Sequence, residues 1–434
     1  MSRNGAPTHT PAFRNRRTVN WLSLGLTYSA MYMARYNLSF ANASLSETYG
    51  WKAKEVGAII TSSLLVYGLS AMFNGPIVDR IGGRRAMLLG AAGAAVCNVL
   101  FALGSTWEVF SDAALLLGWF AGMWSLNCYF QSFSAVSLIK VNAAWFHVRE
   151  RGVFSGVFGS MIQLGRAGIY AIAPLLLDRH GWTSLFYVGA AVVAVFWVFA
   201  FVFVRDTPEH AGHAALDVQD ATSGDREPVN VGYLLRKILL NRVTLAIAVA
   251  EFCTGVLRHG FEQWFPRYMK DGLGMQLQSP VFQKGAAAIV IAGILGALSA
   301  GTLSDWLFKQ RRAPMAFVGY LLSIASLFVV WKVRDESWIV AAFVVNSFGI
   351  SVVHSMLSGT ASMDFGGKRA AGTAAGIFDG MQYVGGAATG VGIGALVDRF
   401  TWGAWAPSMI SFAVIGAVLM WLLRHARPKG AAAH

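Results

Sequence analysis

Twelve stretches of mostly apolar residues recur along this chain, and they constrain its fold more than any other feature, because a helix crosses a bilayer with roughly 20 such residues. They cover about 20–45, 54–78, 86–105, 112–145, 150–177, 183–204, 240–265, 282–308, 313–332, 336–363, 370–397 and 402–424. In hydrocarbon every backbone N–H and C=O must be satisfied internally, so each run reads as a helix. The expected class is an all-α membrane protein with twelve transmembrane helices. Charged residues fill 13% of the 434 positions, against about 25% in soluble chains. That scarcity excludes a water-soluble multidomain enzyme, and apolar runs spread from Trp21 to Leu423 exclude a single anchor. The chain starts basic and then apolar, like a signal peptide. No small-residue cleavage site follows, and Arg35 interrupts the run, so an uncleaved first helix is expected. Cys97, Cys128 and Cys253 lack zinc or redox spacing, and no metal, nucleotide or other cofactor is expected.

In a soluble protein a formal charge of +13 would suggest a nucleic-acid partner. Here no nucleic acid is expected, because the cations follow a topological pattern. With both termini in the cytoplasm, segments on that side hold 22 Lys and Arg and the opposite loops nine, as the positive-inside rule requires. Residues 205–235 carry six acids with Pro208 and Pro228, which reads as a solvated linker. The expected organisation is a six-helix half over 1–204, a cytoplasmic linker over 205–235 and a second half over 236–434.

The two halves repeat. Arg149-x-Arg-Gly152-x3-Gly156-Val-Phe158-x2-Met161-x3-Gly165 returns as Arg369-x2-Gly372-x3-Gly376-Ile-Phe378-x2-Met381-x3-Gly385. Asp178-Arg179-x2-Trp182 returns as Asp398-Arg399-x2-Trp402, and Gly75-x3-Asp79 as Gly301-x3-Asp305. Parallel repeats of six helices predict a pseudo-two-fold axis along the membrane normal, with a substrate site between the halves.

Four cations lie inside helices: Arg35, Lys140, Arg166 and Arg258. A central cation costs roughly 2.5–3.5 kcal/mol on insertion scales, so each needs a partner or a polar cavity. Tyr28, Tyr32, Arg35, Ser39 and Asn42 follow steps of four and three and form one polar stripe. Arg258 lies 223 residues after Arg35, close to the repeat offset and at a matching depth. Two symmetric guanidiniums suit a dianion such as a phosphate ester, since each planar fork donates two parallel hydrogen bonds. Glu251 and Glu262 share the face of Arg258 and could instead be its static partners. Arg166, three residues after Gln163, has either a substrate role or a carboxylate partner such as Asp379. Asp379 could carry a coupling proton or tune closure through a fixed ion pair. Lys140 could snorkel to the interface.

Tyr28-x3-Tyr32-x2-Arg35-x-Asn37 resembles the first helix of the organophosphate:phosphate antiporters of the major facilitator superfamily, which include glycerol-3-phosphate and hexose-phosphate transporters. Leu257-Arg258-His-Gly260-x3-Trp264-x-Pro266-x-Tyr268-x-Lys270 resembles their seventh helix, Arg205-Asp-Thr-Pro208 the end of their sixth, and Ala370 through Gly386 their eleventh. Gly75-x3-Asp79-Arg80-x-Gly82-Gly-Arg84-Arg85 is similar to the gating loop of the wider superfamily, with Asp305 in its weaker copy. The resemblance implies a monomeric twelve-helix rocker-switch carrier of the bacterial inner membrane, with no enzymatic activity, in which Arg35 and Arg258 bind the phosphoryl group. Tyr28, Tyr32, Tyr67 and Trp264 would line the organic half of the site, with Gln163 and Arg166 beside it. The expected partners are a small anionic substrate, inorganic phosphate or protons, and the lipid bilayer. The chain also departs from the pattern. The family's second-helix Lys is Ala71, its fifth-helix His is Ile162, and its Trp-Pro-Pro-Cys motif is Ala135-Val-Ser-Leu138, while His259, His354, Arg166 and Asp379 are additions. Two alternatives to phosphate exchange therefore stay open: proton-linked symport of a carboxylate through Glu251, Glu262 or Asp379, and a non-transporting sensor on a carrier fold.

Overall fold

The computed structural model describes residues 9–106, 112–146, 151–214, 216, 242–308, 311–357 and 362–425, with side chains at these positions except 72, 151–159, 305 and 362–377. Twelve long helices appear where the apolar runs place them. They are α1 (Pro11–Tyr49), α2 (Ala53–Ile81), α3 (Gly83–Leu103), α4 (Ala113–Trp145), α5 (Arg151–His180) and α6 (Thr183–Phe203). The second set is α7 (Arg242–Arg267), α8 (Pro280–Phe308), α9 (Arg312–Lys332), α10 (Glu336–His354), α11 (Ser362–Phe400) and α12 (Trp405–Leu422). No strand occurs among the described residues.

Among the described residues, nine of these helices are long and apolar enough to span a membrane, and α2 is a tenth if its two bent parts count as one. The bend of 54° falls between Ala71 and Phe73, at the turn where the Pro76 ring meets the carbonyl four residues back. α1 and α11 miss the apolar threshold, α1 because its polar stripe makes it the most polar helix. Most of the expected linker, from 217 to 235, lies outside the described residues, as do the side chains of Asp305, Gly152, Gly156, Gly372 and Gly376.

Helix ends are held by side chains and by glycine. Thr10 caps α1, with its Oγ1 accepting from Phe13 N and Pro11 at the first helical position. Gly50 ends α1 at φ 65°, the left-handed conformation for which glycine has no Cβ penalty. Asp206 accepts from Arg84 N at 2.7 Å and so caps α3 from the start of the linker. Asp398, at the end of α11, accepts from Ala53 N and Lys54 N at 2.9 Å each and caps α2 across the bundle.

The packing repeats with the sequence. Within the first set α1 packs on α5 and α6, α2 on α4, and α3 on α4 and α6. Within the second, α7 packs on α11 and α12, α8 on α10, and α9 on α10 and α12. Between sets α2 lies on α11, α5 on α8, and α1 on α7, pairings that exchange under the same six-helix shift. Small residues permit the close approaches: a Cβ on Gly57 would collide with the Gly390 carbonyl, and one on Gly255 with the Gln382 carbonyl.

Candidate functional site

The polar stripe of α1 faces the middle of the bundle, where Arg35 is only 5% exposed. Its guanidinium lies between the rings of Tyr32 and Tyr67, 4.4 Å from each centroid. Nε donates to Gln131 Oε1 at 2.7 Å and Nη1 to Tyr383 Oη at 3.5 Å. Among the described residues Arg35 forms no ion pair, and its buried Nη2 has no hydrogen-bond partner. Tyr28 completes the aromatic cage, its hydroxyl 3.5 Å from that of Tyr32, while Tyr67 stacks on Tyr383 with centroids 4.3 Å apart.

α7 brings the second cation to the centre with its own counter-charge. Arg258 Nε lies 3.4 Å from Glu262 Oε1, one helical turn away, and Nη1 donates to Gln382 Oε1 at 3.0 Å. The same Glu262 oxygen lies 3.0 Å from Arg166 Nη1. The carboxylate partner of Arg166 is therefore Glu262 and not Asp379, the long Arg166 side chain reaching from α5 to α7. Glu262 Oε2 accepts from Tyr36 Oη at 2.5 Å. Arg166 also reaches Gln163 Oε1 at 3.2 Å and Tyr170 Oη at 3.5 Å. A cavity of about 110 Å³ opens beside this cluster, lined by Gln163, Arg166, Arg258, Glu262, Ser347 and His354 among others.

Glu251 and Arg258 are joined through Gln382, whose Nε2 donates to Glu251 Oε2 at 3.2 Å and lies 2.7 Å from His354 Nδ1. Asp379 makes no ion pair within 4 Å among the described residues, but it lies within electrostatic reach of both Arg258 and Arg35. His259 is wedged against α11, where a Cβ on Gly386 would meet its ring. Trp264 stands apart: it is fully buried and donates from Nε1 to the Thr389 carbonyl at 3.2 Å, a strut between α7 and α11 outside the cavity lining. Asn42 accepts from Arg267 Nη1 at 2.8 Å. Arg267, 8% exposed, is thus a further buried cation, where the sequence expectation had placed a loop residue.

At the end of the bundle nearest the linker, Asp79 pairs with Lys140 at 2.6 Å, with both side chains about half exposed or more. Lys140 therefore crosses from α4 to α2 and does more than snorkel. Arg84 Nη2 donates to the Phe201 carbonyl at 2.6 Å. Gly82 (φ 87°) turns the chain between α2 and α3 directly beneath Asp206. Gly75 has open space around its Cβ direction, and Arg80 and Arg85 are exposed.

The major facilitator superfamily model matches residues 24–390, from α1 through most of α11. The chain belongs to the major facilitator superfamily. This facilitator is 27% identical over 428 residues to the glycerol-3-phosphate transporter of Bacillus subtilis (strain 168), covering 94% of this chain and 92% of that protein. It is 26% identical over 411 residues to the membrane sensor protein UhpC of Escherichia coli (strain K12), with 92% and 90% covered. It is 26% identical over 403 residues to the phosphoglycerate transporter protein of Salmonella typhimurium, with 88% and 83% covered. Among solved structures, a bacterial homologue of the human lysosomal transporter Spinster, inward-facing and unoccupied, superposes with a TM-score of 0.79 at 12% identity, covering 97% of this chain and 99% of that one. The facilitator is thus a multi-pass membrane protein of a transporter family, and its relatives are not enzymes.

Two residues of this facilitator's site escaped the sequence reading. Tyr36 follows Arg35 directly and lies four residues after Tyr32, so a slightly wider stripe would have included it. Gln131, four residues after Asn127 on α4, was readable as a second polar pair in an apolar helix.

Proposed function

We propose that this facilitator is a secondary carrier of the bacterial inner membrane, with both termini cytoplasmic, that exchanges a phosphorylated organic anion for inorganic phosphate. Its halves, over 1–204 and 236–434, would rock about a central site in which Arg35 and Arg258 clamp the phosphoryl group. The observation that carries this reading is the state of Arg35: a buried guanidinium with, among the described residues, no carboxylate in ion-pair range and no hydrogen-bond partner at Nη2. Buried polar donors are normally satisfied, and a missing oxyanion explains this one. Arg258, the second member of the clamp, lines the cavity beside Glu262. The transporters it resembles, named for glycerol-3-phosphate, hexose phosphate and phosphoglycerate, support the same substrate class.

An anion that binds both states equally moves no equilibrium, so it must favour the passage between them. In proteoliposomes loaded with phosphate, Arg35→Lys and Arg258→Lys should each abolish exchange, since an ammonium lacks the bidentate fork. Normal exchange by either variant rejects the clamp.

A second reading, proton-linked symport of a carboxylate, is favoured by Asp379, a membrane-embedded acid without an ion pair among the described residues. Uptake that collapses with a protonophore and ignores internal phosphate would select it. Anion binding with no flux at all would select a sensor.

A further inference from the structure

Arg35 is fixed in two directions by different means. The rings of Tyr32 and Tyr67 hold its plane. Rotation within that plane is held at Nε, which donates to Gln131 Oε1. Gln131 is itself oriented: its Nε2 donates to Asn127 Oδ1 at 3.0 Å. The same Asn127 oxygen accepts from Asn98 Nδ2 at 3.3 Å, and Asn98 Nδ2 also donates to the Ala94 carbonyl at 2.9 Å. Asn37 Nδ2 closes onto Asn98 Oδ1 at 2.7 Å.

The oxygen and nitrogen of an amide have the same outline, but this chain of bonds reads in one direction only. The Ala94 carbonyl can only accept, so Asn98 turns its nitrogen toward it and toward Asn127. Asn127 must then offer oxygen, and Gln131 nitrogen. The other end requires the same answer, because Arg35 can only donate and therefore needs the Gln131 oxygen. All four amide side chains are fully buried, where such bonds are strong and misorientation is costly. They sit on α1, α3 and α4, within the first six-helix set.

We propose that Gln131 is a positioning residue for anion capture: the amide chain running from Ala94 through Asn98 and Asn127 fixes the Arg35 fork, so that Nη1 and Nη2 meet an oxyanion already aimed. This rests on the exchange reading for the anion itself. A fork oriented during folding loses no rotational freedom on binding. No member of the amide chain lies on α7–α12, so its hold on Nε is independent of the one hydrogen bond Arg35 makes there, from Nη1 to Tyr383 Oη.

The test compares wild type with Gln131→Met and Gln131→Glu, using inorganic phosphate as the probe in both exchange and thermal-shift measurements. Methionine keeps the length and removes the acceptor. It should raise the KM for phosphate about tenfold, on the scale of one hydrogen bond to a charged group, with Vmax nearly unchanged. Glutamate keeps an acceptor but supplies the carboxylate that Arg35 lacks. The new ion pair to Arg35 offsets the lost Nε2 bond to Asn127, so the variant should fold, yet lose phosphate-dependent stabilisation; it also carries the test if the methionine variant does not fold. A methionine variant with a lower melting temperature and unchanged KM overturns the proposal, leaving Gln131 a packing residue. So does a glutamate variant that phosphate stabilises as it does wild type. If phosphate neither exchanges through nor stabilises the wild type, the exchange reading falls and the positioning role falls with it.

Discussion

Arg166 and Arg258 reach one and the same oxygen of Glu262, at 3.0 and 3.4 Å, while Tyr36 holds the other oxygen at 2.5 Å. Three helices, α1, α5 and α7, therefore meet on a single buried carboxylate. Removing one partner of a buried ion pair is costly because the remaining charge is left uncompensated. Here two guanidiniums would be left.

Glu262→Gln should accordingly destabilise the protein by about 3–5 kcal/mol, seen as a clear fall in melting temperature in detergent. Added phosphate should recover part of the loss, since an oxyanion can take the place of the missing carboxylate. A variant that melts with the wild type, with or without phosphate, refutes the shared-carboxylate account.

Asp398 gives a second expectation. Its carboxylate caps α2 from the far end of α11, and a lost cap costs about 1 kcal/mol. Asp398→Ala, which removes both acceptors, should favour separation of α2 from α11 at that end. Labelling of a Ser46→Cys reporter by a maleimide should speed up about fivefold, the ratio that 1 kcal/mol sets. Unchanged labelling would mean that the cap does not resist opening.

The glycine contact below that cap can be tested with its own control. Gly390→Ala drives a Cβ into the Gly57 carbonyl, whereas Gly392→Ala meets nothing within 4 Å. Overpacking typically costs about 1–3 kcal/mol, so Gly390→Ala should lower the melting temperature and slow exchange. Gly392→Ala should do neither. Equal behaviour of the two variants would remove the steric argument.

Asp79 and Lys140, by contrast, form an exposed pair, with side chains 67% and 45% accessible. Such pairs are worth about 0–1 kcal/mol. A double-mutant cycle of Asp79→Asn and Lys140→Gln on melting temperature should show a coupling within that range and weaken further in high salt. A larger, salt-insensitive coupling would point to a buried latch.

The helices and their repeat were readable from the sequence because the bilayer leaves one length and one backbone solution for each run. The depth of Arg35 and Arg258 followed from the repeat offset. Partner choice was not readable in the same way. Arg166 meets Glu262 by reaching from α5 to α7, a tertiary fact that no spacing along one helix encodes. Trp264 matched a family pattern, yet its indole is spent on the Thr389 carbonyl. The second strand of the site, from Gln131 back to Asn98, joins residues on α1, α3 and α4 whose proximity only packing reveals.

The polarity of α1 bears on how the protein comes to be inserted. Its buried face carries Asn20, Ser23, Thr27, Arg35, Asn37 and Asn42, and it falls short of the apolar content of a self-sufficient span. An insertion channel reads helices largely one at a time by their free energy of transfer. α1 is therefore poorly retained by lipid until α3, α4 and α7 supply partners for its amides and its guanidinium. Membrane integration of this helix is in effect a late folding event, and a fragment ending soon after Tyr49 should slip out of the bilayer that the complete bundle holds.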